Sequence, residues 1–156
     1  MPDTQKTIDR MAQEIFELYQ LIAIARSRQP TGSDDLTETE FLTLDALSKE
    51  EPLTVGEIQR RIGVVPAQMS RIVRALEGQG GKDYIRSQIN TLDRRRIDVF
   101  LTPAGREAHQ RYKNLRLKSM YEILAALNPD DRLHFMRIMG QLREAYQRRV
   151  AGRSDN

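Results

Sequence analysis

The sequence contains no cysteine, no tryptophan and only two histidines, His109 and His134. Without cysteine there is no disulfide, no thiolate metal ligand, no cysteine nucleophile and no thiol redox switch. Two histidines without a paired spacing leave a zinc site unsupported, so neither a metal nor a cofactor is expected. Aromatic residues make up 6% of the chain against 39% hydrophobic and 30% charged, a balance that suits a helical, strongly solvated protein better than a β-sandwich. No uninterrupted apolar run is longer than LIAIA at 21–25, far too short to span a bilayer. The opening MPDTQKTIDR lacks the basic-then-apolar order of a signal peptide, so a cytoplasmic protein with no membrane partner is expected. No nucleophile–base spacing or glycine-rich phosphate loop is present, and Asp34-Asp35 and Asp130-Asp131 read as loop and helix-start acids, which argues against an enzyme.

What is present is uneven charge. The 156 residues suffice for one domain with a core and carry a net charge of +3. Between Arg60 and Arg106 stand ten basic residues against four acidic ones, a local excess of +6, while the remainder holds 15 basic and 18 acidic residues. A basic middle between acidic flanks is the asymmetry expected where one region faces a polyanion. A solvated charged surface explains the same numbers, so charge alone leaves both readings open.

Hydrophobic spacing supplies the element order. From Thr7 to Arg28, Ile8, Met11, Ile15, Leu18, Tyr19 and Ile22 recur at helical spacing, and Phe16, Leu21 and Ile24 widen the stripe into two apolar faces. Such a helix is too apolar to leave one side wet, which predicts packing on another chain. QPTGSDD at 29–35 reads as a loop. Thr37 with Glu40, and Thr54 with Glu57, are capping boxes opening a helix through Phe41, Leu44 and Leu47 and a short helix over 53–63 stopped by Gly63. Pro66 then occupies the first position of a helix over 66–79 that buries Met69, Ile72, Val73 and Leu76 and turns Ala67, Gln68, Arg71, Arg74 and Ala75 outward. YIRSQI (84–89) and the alternation of Ile97, Val99 and Leu101 with Arg96, Asp98 and Phe100 predict two short strands with a turn at Asn90-Thr91. Thr102-Pro103 and Asn128-Pro129 start two long helices, and the tail from about Gly152 is expected to fray.

A short helix, a tight turn, a second helix with a basic outer face and then a charged hairpin form a helix-turn-helix followed by a wing. The second helix of such a unit lies in the major groove of DNA and presents its N-terminal residues to base edges. Gln68 can pair with adenine through two hydrogen bonds and Arg71 with guanine through its fork, while Ser70 and Arg74 lie further along or around the helix, where phosphate suits them. Arg94, Arg95 and Arg96 stand side by side, and their mutual repulsion is relieved by phosphates or by the negative minor groove. Asp93 beside them is expected to bond backbone or an arginine and so fix the tip rather than touch DNA. An amphipathic helix with a charged outside, and a solvated turn with arginines, are the structural alternatives for each piece taken singly.

Residues 36–107 resemble the MarR family of winged-helix transcriptional regulators. The resemblance rests on LTVGEI, on the helix opening from Pro66 to Arg71, and on Asp93, Arg94, Arg95, Val99, Leu101, Thr102 and Gly105 at the family's spacing. It implies a mainly α fold with a small β-hairpin wing: a winged helix-turn-helix DNA-binding lobe over 36–102, with dimerisation helices over 5–29 and 103–150. It further implies a homodimer on a pseudo-palindromic double-stranded DNA operator, usually a repressor, with a small-molecule effector in many members. The DNA-binding set expected here is Pro66, Ala67, Gln68, Ser70, Arg71, Arg74, Arg94, Arg95 and Arg96. The alternative is a winged-helix module for non-specific DNA coating or protein–protein interaction. Two features depart from the family: Gly81-Lys82-Asp83 reads as an insertion before the first wing strand, and Val65 stands where many members have a serine N-cap. Tyr19, Arg26, Met69, His109 and Tyr112 are candidates for an effector pocket, but tyrosines and methionines at helical spacing are more often plain core, so no ligand site is assigned.

Overall fold

The computed structural model describes residues 2–27, 36–79 and 81–151, and the chain divides into two units, 1–35 and 36–156. The described residues of the first unit form one helix, α1 (Pro2–Ser27). It begins earlier than the apolar periodicity suggests, and Ile8, Met11, Ile15, Phe16, Leu18 and Tyr19 are all exposed along it. The loop expected at 29–35 and the tail from Gly152 lie outside the described residues.

The second unit opens with α2 (Glu38–Lys49), and its capping box is formed: Glu40 N donates to Thr37 Oγ1 at 3.2 Å and Thr37 N donates to Glu40 Oε2 at 2.8 Å. β1 (Leu53–Thr54) and α3 (Val55–Ile62) follow, then α4 (Pro66–Arg74), β2 (Ile85–Ile89), β3 (Ile97–Leu101), α5 (Pro103–Ala125) and α6 (Pro129–Ala151). Thr54 caps α3 with Glu57, Thr102 Oγ1 accepts from Gly105 N at 3.0 Å to open α5, and Asn128 Oδ1 accepts from Asp131 N at 2.9 Å to open α6. Both long helices therefore start where the sequence places them.

The sheet differs from the expected two-stranded hairpin. Leu53 and Thr54, read as the first residues of a helix, are extended and pair with Val99 and Asp98, giving a three-stranded antiparallel sheet in the order β1-β3-β2. Two residues are too few to show an alternation, and their partners lie far along the chain, so this strand has no local signature. β3 is thereby central and covered on both faces: Val99 and Leu101 are buried in the core, and Asp98 on the other face is buried as well, accepting from Asn90 Nδ2 at 2.6 Å. At the outer end of the same strand, Ile97 is exposed.

The core joins Leu44 and Leu47 of α2, Leu53, Ile58 of α3, Met69 and Ile72 of α4, Ile85, Val99 and Leu101 of the strands, and Ala108 and Tyr112 of α5. Burying large aliphatic side chains at roughly 1.5–3 kcal/mol each is the main favourable term holding this unit. α5 is set against the first wing strand by a close approach. A Cβ on Gly105 would lie 1.9 Å from the Tyr84 carbonyl oxygen, so only glycine fits.

Candidate nucleic-acid interface

α3 ends at Gly63, whose N–H reaches Gln59 O at 2.9 Å, and Val64-Val65 turn the chain into α4. Val65 is the N-cap of α4 and makes no side-chain capping bond, as its side chain dictates. Met69 and Ile72 fix the inner side of α4 in the core, which leaves Pro66, Ala67, Gln68, Ser70, Arg71 and Arg74 exposed. Ser70 Oγ donates to Pro66 O at 3.1 Å, so its proton serves the helix and its lone pairs face outward.

Past Arg74 the helix widens into one π-helical turn, Ala75–Gln79, kinked at Gly78, whose φ of 111° is a conformation that side chains with a Cβ rarely adopt. This turn joins α4 to the wing. Tyr84 N donates to Leu76 O at 2.8 Å, and Ser87 of β2 donates its hydroxyl to Glu77. The Gly81-Lys82-Asp83 segment is anchored too. Lys82 Nζ lies 2.9 and 3.1 Å from the two carboxylate oxygens of Glu40 on α2, and Thr102 Oγ1 donates to Asp83 O at 2.6 Å. These residues are thus tied to α2 and to the start of α5, and the wing's base is fixed by hydrogen bonds to the turn that follows α4.

At the tip, the Asp93 side chain bonds backbone, as expected: its Oδ1 accepts from Arg95 N at 3.0 Å and its carbonyl accepts from Arg96 N at 2.9 Å. Asn90 Oδ1 accepts from Leu92 N at 2.8 Å and Asp93 N at 2.9 Å. The loop is a set of nested Asx-type turns.

The ten basic residues from Arg60 to Arg106 divide by partner. Arg61 pairs with Glu50, Lys82 with Glu40, Arg96 with Glu57 and Arg106 with Glu51, every one of these carboxylates coming from the acidic flank of the sequence. Arg86 lies over the Phe100 ring, 5.5 Å from its centroid. Among the described residues, Arg60 on α3, Arg71 and Arg74 on α4 and Arg94 and Arg95 at the tip have no carboxylate within ion-pair distance, and all five are exposed; Arg60 lies close enough to Glu57 for its charge to act on that carboxylate. Of the three adjacent arginines, Arg96 therefore turns back to α3, its Nη2 3.6 Å from Glu57 Oε1. Glu57 is held below the ordinary carboxylate range by hydrogen bonds from the Thr54 backbone and side chain, helped by the charges of Arg96 and Arg60. Sequence reasoning passed over Arg86; its register opposite Phe100 on the wing face is the alternation signal that would have singled it out.

The family model described as the MarR family matches residues 36–97, the span from α2 to the start of β3. Residues 36–97 are a MarR-family domain. The matched segment holds the helix-turn-helix and the first wing strand. The fold is shared with YusO of Bacillus subtilis at 24% identity and TM-score 0.70, covering 90% of this chain and 97% of that one. It is shared with Streptococcus pneumoniae FabT, solved in complex with DNA, at 22% identity and TM-score 0.65, covering 91% and 94%. A structure concerned with regulation of DNA binding of Bordetella bronchiseptica BpsR by 6-hydroxynicotinic acid matches at 20% identity and TM-score 0.60, covering 84% and 91%. At these identities the three structures speak for the fold. A search of curated protein sequences returns no match.

Three of the five candidate effector residues are structural. Met69 is core. His109 and Tyr112 of α5 are buried, and Phe41 stacks on both rings, with centroids 5.3 and 4.5 Å away. His109 Nε2 is 2.9 Å from Asp45 Oδ1, Tyr112 Oη donates to Glu38 Oε2 at 3.1 Å, and Arg116 donates to Tyr112 Oη at 2.6 Å. These contacts hold α5 on α2. Tyr19 is exposed on α1, and the Arg26 side chain lies outside the described ones. An open cleft of about 500 Å³ between α5 and α6, lined by Tyr121, Leu124, Leu127, Arg132, Phe135 and Met136 among others, includes none of the five. No group of three or more histidines and carboxylates among the described residues could hold a metal ion, and no helix among them is long and apolar enough to cross a membrane.

Proposed function

We propose that the chain is a homodimeric repressor that binds a pseudo-palindromic operator. In this reading residues 36–102 are the DNA-binding lobe, and helices within 5–29 and 103–150 form the dimer. Gln68 and Arg71 read base edges in the major groove, with Pro66 and Ala67 at the helix entry against the groove wall. Ser70 and Arg74 meet phosphates, Arg94 and Arg95 enter the minor groove, and Arg96, braced by Glu57, sets the tip.

One observation carries the reading. Carboxylates of the acidic flank pair with Arg61, Lys82, Arg96 and Arg106 and leave Arg71 and Arg74 on α4 and Arg94 and Arg95 on the wing unpaired, the turn that follows α4 being hydrogen-bonded to the base of that wing. Unpaired guanidinium groups release counterions when they meet phosphates, which drives binding without any base contact. Dimerisation is supported by the apolar rows that α1 and α6 leave exposed, including Ile15, Phe16 and Leu18 on the first and Leu133, Met136 and Tyr146 on the second. A small-molecule effector enters through the relatives, BpsR being described as regulated by 6-hydroxynicotinic acid.

Selection of genomic DNA fragments by the full-length protein tests the operator. A shared inverted repeat with half-sites about one helical turn apart is expected. Recovery without any common motif would replace this reading with general DNA coating. Light scattering is expected to give twice the chain mass, and a monomer at micromolar concentration would remove the two-half-site arrangement.

A further inference from the structure

The wing carries a second chemistry besides its arginines. In the register of β2 and β3, Ile85 pairs with Leu101, Ser87 with Val99 and Ile89 with Ile97, so these six share one face of the hairpin. At the base that face is core, since Ile85, Val99 and Leu101 are buried. Further out it stays apolar where the core has ended: Ile89 is 63% and Ile97 49% exposed. At the apex Leu92 is 97% exposed, more than any other large hydrophobic side chain among the described residues.

A leucine on a slack loop can fold away from water, but this one is held out. Its own N–H is fixed to Asn90 Oδ1 at 2.8 Å, and the other end of the Asn90 amide is fixed to the buried Asp98 at 2.6 Å. Asp93 pins the two residues on the far side of the apex through Arg95 N and Arg96 N. The apex thus presents an apolar side chain on a frame tied to the sheet, two and three residues before the unpaired Arg94 and Arg95, with the intervening Asp93 carboxylate engaged by Arg95 N. Cations that draw the tip onto a polyanion, with an aliphatic group projecting ahead of them, match the chemistry of a minor-groove wedge: the cations meet the phosphates flanking the groove, and the aliphatic group enters between base pairs and partly unstacks them.

We propose that Leu92 is such a wedge, and that the wing bends the duplex by pressing Leu92 into a base step while Arg94 and Arg95 hold the adjoining backbone. The proposal rests on the DNA-binding reading above and deepens it. Readout then extends to steps that unstack easily, so pyrimidine–purine steps are favoured under the wing although no side chain reads their edges. Ile89 and Ile97 lie behind the apex on the hairpin's apolar face and meet the sugars that the opened groove exposes.

The test uses the full-length protein on the duplex recovered by fragment selection, labelled at its two ends for energy transfer and carrying 2-aminopurine at the step under the wing. Wild type is expected to shorten the end-to-end distance and raise the 2-aminopurine emission. Leu92→Ser is expected to abolish both changes and to weaken affinity about tenfold with an unchanged dependence on salt, because no charge is removed. Leu92→Met is expected to keep both signals. Since Leu92 touches no core, circular dichroism of both variants should match wild type. A wild-type complex with a straight, stacked duplex, or a serine variant that bends and binds like wild type, overturns the wedge while leaving operator binding intact. Failure of wild type to bind any duplex overturns the wedge together with the reading beneath it.

Discussion

Lys82 Nζ sits 2.9 Å from Glu40 Oε2, joining the segment before the wing to the first turn of α2. The Glu40 side chain is 7% exposed and that of Lys82 21%, so neither charge can be fully hydrated when its partner is lost. Lys82→Met is expected to cost about 2 kcal/mol in urea unfolding. Adding Glu40→Gln should recover part of that, with a coupling of at least about 1 kcal/mol in the double-mutant cycle. Additive losses would mean that the pair anchors nothing.

The same carboxylate sets an acid limit. Burial pushes the Glu40 pKa up, but hydrogen bonds from the Thr37 backbone and from Lys82, with the charge of Lys82, outweigh it and leave the group below its ordinary 4.5. Asp45 likewise ends below its ordinary 3.8, burial being overcome by Lys49 and His109. A carboxyl whose folded pKa lies below its unfolded one contributes all its stabilisation above the unfolded value and loses it as pH falls through the folded value. Stability contributed by these groups should hold above about pH 5 and decline below it, and Glu40→Gln should flatten the decline. Parallel slopes for wild type and variant in urea titrations between pH 3 and 6 would contradict the assignment.

Val65 leaves α4 without a side-chain cap, and the residue is exposed, so little packing is lost by changing it. Val65→Ser should raise the urea midpoint by the equivalent of about 1 kcal/mol with the slope unchanged. An unaltered midpoint would show that the backbone bonds from Gln68 N and Met69 N to Val65 O already satisfy the helix start.

On DNA, the free arginines should divide by role. Arg71→Ala is expected to cost roughly 1–3 kcal/mol on the recovered operator and much less on random duplex, because a base contact is lost. Arg95→Ala should weaken both and reduce the salt slope by about one unit. Equal losses on both duplexes for Arg71→Ala, measured by fluorescence anisotropy, would count against base reading by α4.

The helices were legible from local chemistry. Thr37 with Glu40, Thr54 with Glu57, Thr102 before Pro103 and Asn128 before Pro129 each fix a helix start within a few residues, and the apolar spacing from Met69 to Leu76 fixes which side of α4 faces inward. The basic helix and the arginine tip were equally plain, since side-chain type and chain order are all they require. What local chemistry could not supply were relationships between distant segments. β1 exists because Leu53 and Thr54 meet Val99 and Asp98, and Asp98 is buried because β3 became the middle strand. The division of the basic segment into paired and unpaired arginines depends on which carboxylates of α2, α3 and the intervening loop fold against it, and that turned Arg96 toward Glu57 while its neighbours stayed free. A sequence determines periodicity, caps and charge count by itself, because these act over one or two turns; only the tertiary structure decides which charges cancel, because cancellation needs two groups within a few ångströms of each other in space.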